Sequence, residues 1–106
     1  MSIPARPTEK VLAAPEELSL ESRTGFRRAA GDLLDQLPKG LGRLVIDLSA
    51  TRVVDSAGLG ALMLIQRKAA ERRASVCLRG ASEEMRFLLV LTKLDDLFEL
   101  ENGRPK

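Results

Sequence analysis

Asp47, Asp55 and Ser56 are the side chains whose types and placing could do chemistry in this chain. Asp47 closes an apolar run. Asp55 and Ser56 open the stretch VVDSAGLGALML (Val53–Leu64), in which small residues lead into a second apolar run. A serine at the start of a helix is favoured as an N-cap for structural reasons alone. The same place also suits a phosphoserine, because a helix N-terminus stabilises an added phosphate while the new charge stands on an exposed corner. Ala57, Gly58 and Gly60 could serve simply to let the helix approach a neighbouring strand. A third chemistry would use Asp47 and Asp55 as a magnesium-dependent phosphoacceptor site, since acids at a strand's carboxyl end suit that ion. The rest of the sequence supplies little for such a site: Glu16 and Glu17 lie beyond a weak strand and a proline, and no lysine follows Leu100 until Lys106.

Composition excludes several other functions. The chain has no histidine, which removes the commonest general base, histidine-dependent triads and most zinc sites. The single cysteine, Cys77, sits between Val76 and Leu78 and reads as a buried structural thiol; with no second cysteine there is no internal disulfide, which fits a reducing cytoplasm. Formal net charge is only +2, and the aromatics are Phe26, Phe87 and Phe98, so neither a nucleic-acid footprint nor a base-stacking platform is expected. The N-terminal MSIPARPTEK lacks the apolar core of a secretory signal, and no apolar stretch is long enough to span a membrane. Arg23, Arg27, Arg28, Arg67, Arg72 and Arg73 either mark a surface for an acidic partner or are scattered, solvated helix faces.

The elements that must position these residues follow from periodicity. Residues 1–9 read as a flexible leader with Pro4 and Pro7, residues 10–100 as one domain, and residues 101–106 as a polar tail. Lys10–Pro15 is a weak strand and PEELSLES a polar connection. Phe26, Ala29, Ala30, Leu33, Leu34 and Leu37 follow the three–four spacing of a helix face, ended by Pro38–Gly40. Arg43–Leu48 is a strand whose continuous Leu44-Val45-Ile46 run predicts cover on both faces. A helix is expected from Gly58 to about Arg73, with Leu59, Leu62, Met63 and Ile65 buried, and a strand over Ser75–Gly80. Ser82 then caps a third helix, with Glu83 and Glu84 in its first turn and Met85, Phe87, Leu88, Leu89, Leu91 and Leu94 making it heavily buried. Leu97–Leu100 is the final strand. Alternating strands and helices predict an α/β fold: a small mixed, mostly parallel sheet with helices packed mainly on one side.

The order of these pieces carries a resemblance. The segment VIDLSATRVVDSAGLGALMLIQRKAAERRASVCLRGASEEMRFLLVLTKLDDLFEL (Val45–Leu100) resembles the core of a STAS domain of the bacterial anti-sigma factor antagonists. The resemblance implies a non-catalytic binding module without cofactor or metal. Ser56 falls on the serine that a partner, at once anti-sigma factor and serine kinase of the histidine-kinase-like ATPase type, phosphorylates. Asp55, Ser56, Ala57, Gly58, Leu59 and Gly60 fall on the partner-binding motif. It further implies that the unphosphorylated domain binds the partner and frees a sigma factor, that phosphorylation ends binding, and that a phosphatase restores it. Ala57 stands where a second serine could, which leaves Ser56 as the motif's one hydroxyl. The alternative is a non-switching STAS scaffold or regulatory subunit of a signalling or transport complex, in which Ser56 is only a cap. The family pattern has two strands before its first helix, where one is expected here, and no counterpart of its C-terminal helix is expected after Leu100. Cytoplasmic location is expected, and a homo-oligomer if an apolar face is left uncovered.

Overall fold

The computed structural model describes Thr8–Glu101. Most of the expected leader and tail therefore lies outside the described residues, although the first strand already begins at Glu9. The elements run β1 (Glu9–Ala13), β2 (Glu17–Leu18), α1 (Arg23–Asp35), β3 (Arg43–Asp47), β4 (Val53–Val54), α2 (Ser56–Glu71), β5 (Ser75–Arg79), α3 (Glu83–Leu91) and β6 (Glu99–Glu101), with a single 3₁₀ turn at Asp95–Leu97 before β6. The expected strand over Leu97–Leu100 thus starts two residues late, because that turn takes up Leu97.

Four strands form one sheet in the order β1-β3-β5-β6, and every pairing in it is parallel. The strands advance across the sheet in one direction, with one helix in each crossover. Right-handed crossovers that all advance the same way lay their helices on the same face. Leu44, Ile46, Val76 and Leu78 project into that face and meet Phe26, Ala30 and Leu34 of α1 and Ala61, Leu62, Ile65 and Ala69 of α2. Alternation along the strands sends Val45 and Cys77 to the other side, where both are still fully buried. That explains the continuous apolar run of β3.

On this second face lies an ionic lattice that spans the sheet. From β3, Arg43 reaches Glu9 on β1 and, two strands away on β6, Glu99 at 3.0 Å and Glu101 at 3.2 Å. Arg79 of β5 also pairs with Glu101. Burial works against the charged guanidinium of Arg43, but its hydrogen bonds to Glu99, Glu9 and Glu101 outweigh that and raise its pKa.

Two expectations need correction. PEELSLES is not merely a connection: Glu17–Leu18 pairs in parallel with Val53–Val54 as a separate two-stranded ribbon, so two strands do precede α1. And α3 is not heavily buried. It buries Met85 and Leu89, while Phe87, Val90 and Leu91 are more than half exposed. On α2, Met63 likewise faces outward. Apolar residues around most of a helix's circumference imply burial only where a second layer exists to cover them, and among the described residues nothing covers this side of α3.

Candidate functional site at the start of α2

The β2–β4 ribbon holds the beginning of α2 in place. Arg52 and Val53 both donate backbone N–H groups to the Glu16 carbonyl, at 2.7 and 3.2 Å, and Thr51 Oγ1 donates to the Pro15 carbonyl at 2.8 Å. The chain then turns into the helix at Asp55, whose extended backbone and side chain make it the N-cap. Its Oδ1 accepts from the Gly58 N–H at 2.8 Å and its Oδ2 from the Leu20 N–H at 3.2 Å, while its own N–H donates to the Leu18 carbonyl at 3.2 Å. The carboxylate's pKa is lowered, chiefly by the Gly58 hydrogen bond; burial opposes this, and the Leu20 hydrogen bond adds a lesser lowering. Asp55 therefore ties the segment before α1 to the start of α2, across 35 positions of sequence.

Ser56 is the first residue of α2. It is exposed, and among the described residues its hydroxyl has no hydrogen-bond partner. The capping role that a serine here could fill belongs to its neighbour. Gly58 is buried against β2: a Cβ on it would lie 2.1 Å from the Leu18 carbonyl oxygen. Gly60 faces open space, with nothing within 4 Å of a Cβ there, so close approach explains the first of the two glycines and not the second. Ala57, Leu59 and Gly60 are partly exposed around the same corner.

Beside the corner, a cleft of about 260 Å³ opens between β4 and α3. Leu48, Val53, Val54, Met85 and Leu88 give it an apolar lining, with Arg52 and Glu84 among the polar groups. Sequence reasoning does not find it, because its two walls are thirty residues apart and each is unremarkable alone. Asp47 is engaged separately from Asp55: its Oδ1 accepts from the Ser49 N–H at 3.0 Å and from the Ser49 hydroxyl. Among the described residues no group of three or more His, Cys, Asp or Glu side chains is placed to hold a metal. Cys77 is free and buried, and burial raises its thiol pKa despite the opposing pull of Arg43. No helix among the described residues is long and apolar enough to cross a membrane.

A four-stranded parallel sheet with three helices, and an exposed serine that follows the Asp55 N-cap at the start of the second, defines a small α/β module. The family model described as "Mlab, STAS domain" matches residues 1–100, and the chain belongs to the STAS domain family. A STAS-domain containing protein of Pseudomonas aeruginosa (strain UCBPP-PA14) is 33% identical over 58 residues, which span 55% of this chain and 57% of that relative. The chain thus matches little more than half the length of that curated relative. Among solved structures, a proposed anti-sigma factor antagonist from Thermotoga maritima aligns with a TM-score of 0.72 at 24% identity, over 86% of this chain and 78% of that one. A sulfate transporter family protein from Wolinella succinogenes aligns with a TM-score of 0.72 at 15% identity (91% and 78% of the two chains). The anti-sigma factor antagonist SpoIIAA in its unphosphorylated form aligns at 0.69 and 14% (95% and 84%). At these identities the structures establish a common fold.

Proposed function

We propose that this chain is an anti-sigma factor antagonist-like binding module, switched by phosphorylation of Ser56. The observation that carries the reading is the division of labour at the start of α2. Asp55 does the capping, so Ser56 has no structural duty among the described residues, yet stands exposed on the helix's positive end. The chain acts by binding. It has no histidine to activate a serine, so base and nucleotide come from the partner. In the modification, Ser56 Oγ attacks the γ-phosphorus of the kinase's ATP, the hydroxyl proton passes to the kinase's base, and ADP leaves. The fold tolerates the product, because no hydrogen bond of Ser56 is lost. The docking corner, formed by Asp55, Ser56, Ala57, Gly58, Leu59 and Gly60, becomes bulkier and more negative beside Asp55. The apolar cleft next to it offers the partner an anchoring point.

Mass spectrometry after incubation with ATP and the genomically adjacent kinase tests this. Phosphate is expected on Ser56. Ser56→Ala is expected to fold as the wild type does and keep partner binding, and Ser56→Asp to fold and bind more weakly. No phosphate on Ser56, together with undiminished complex formation by Ser56→Asp, refutes the switch. It would leave the second reading, a non-switching STAS scaffold or regulatory subunit of a signalling or transport complex. One observation favours that alternative: the sulfate transporter family protein shares the fold as fully as the antagonists do.

A further inference from the structure

The arginines that look scattered in sequence are not equivalent in space. Arg72 is turned inward, donating to the Leu37 carbonyl at 2.8 Å and approaching Asp35 at 3.8 Å, where it closes the C-terminal end of α1. Arg27 and Arg28 of α1 and Arg67 and Lys68 of α2, by contrast, line one open groove between the two helices, of about 680 Å³. Lys68 lies across Gly31, its ammonium 3.2 Å from where a Cβ there would be, and pairs with Asp35 at 3.5 Å. Among the described residues Arg27, Arg28 and Arg67 make no ion pair. Two carboxylates, Asp32 and Glu71, share the lining with the four cations, so the groove's excess equals the +2 of the whole chain. Its floor is apolar: Ile65 and Leu34 are buried, while Leu64 remains 41% exposed.

We infer that the α1–α2 groove is a docking site for an acidic segment of a protein partner, whose carboxylates face Arg27, Arg28 and Arg67 and whose apolar side chain rests on Leu64. Guanidinium groups take carboxylates in paired hydrogen bonds, which makes arginine the suitable cation for such a surface. The competing occupants fit less well. No aromatic side chain lines the groove for stacking bases. An apolar floor set between two helices suits a segment that enters between them better than a flat lipid surface. The site is separate from Ser56, since Arg67 stands eleven residues further along α2, roughly 16 Å at helical rise.

The test is an amide-resonance titration of the isotope-labelled full chain with a short glutamate-rich peptide carrying a central leucine, and with its glutamine counterpart. The largest shifts are expected at Arg27, Arg28, Leu64 and Arg67. The double variant Arg27→Glu/Arg67→Glu is expected to bind about tenfold more weakly or worse, and wild-type binding to fade in about 0.5 M salt. Arg27→Gln/Arg67→Gln serves in its place if charge reversal impairs folding. Ser56→Asp is expected to leave the titration unchanged, which separates this site from the proposed switch. Shifts spread equally over Lys39, Arg52 and Arg79, or equal binding by wild type and double variant, would overturn the inference. So would tighter binding to a single-stranded oligonucleotide or to phosphatidylglycerol vesicles at the same salt.

Discussion

Gly58 and Gly60 sit two residues apart at the start of one helix, and the structure predicts opposite consequences for the same substitution. A Cβ on residue 58 would stand 2.1 Å from the Leu18 carbonyl oxygen and 2.8 Å from its carbon, where ordinary contact begins at 3.4 Å. The obstacle is backbone, it belongs to a fully buried residue, and the same carbonyl accepts the Asp55 N–H. Relief therefore requires the start of α2 to part from β2 by about 1 Å, breaking up the ribbon. Overpacking of this kind costs about 1–3 kcal/mol, and more where backbone must move. The gain in helix propensity from Gly to Ala returns about 1 kcal/mol. Gly58→Ala is thus expected to destabilise by about 2 kcal/mol, a fall in Tm of about 10 °C for a domain of this size. Gly60→Ala meets nothing and keeps the propensity gain, so its Tm is expected to rise by about 4–8 °C. Thermal unfolding followed by circular dichroism measures both. Equal shifts in the two variants, or stabilisation by Gly58→Ala, would refute the close approach of α2 to β2 and with it the placing of Ser56.

Three further outcomes are expected. Cys77→Ala should cost about 1 kcal/mol, and the wild-type thiol should resist a thiol reagent until the chain is unfolded, because the side chain is fully buried and its pKa raised. Arg43→Met should destabilise by about 1–2 kcal/mol near neutral pH by removing the centre of the ionic lattice, as measured by denaturant unfolding. Folding lowers the pKa of Glu101, chiefly through its hydrogen bonds to Arg79 and Arg43, and that of Asp55 through Gly58. Their contributions are complete above the unfolded values, near about pH 4, and are lost as pH falls through the lower folded values. Wild type and Arg43→Met should therefore converge in stability in acid, and a difference that widened there would contradict the lattice. On α3, Phe87→Ser should change stability by about 0.5 kcal/mol or less, while Leu89→Ala should cost about 2–4 kcal/mol, since the first side chain is 65% exposed and the second is fully buried.

Local chemistry in the sequence determined most of the elements. The three–four spacing of Phe26, Ala30 and Leu34 fixed α1 and its buried face, and the unbroken Leu44-Val45-Ile46 run marked a strand covered on both sides. Ser82 with Glu83 and Glu84 announced the start of α3, where Ser82 Oγ does accept the Met85 N–H at 3.1 Å. These signals are legible because they depend on residues within one or two turns of each other. What depends on distant residues was decided only by the tertiary structure. Two-residue strands have no periodicity to read, so β2 and β4 exist only as a pair. Either Asp55 or Ser56 could cap a helix by type, and the choice fell to Asp55, which also receives the Leu20 N–H from the far side of α1. The exposure of α3 and the convergence of Arg27, Arg28 and Arg67 depend on which helix faces find a neighbour. A residue's own type says what it can bond to, but only the packed chain determines which partners come within reach.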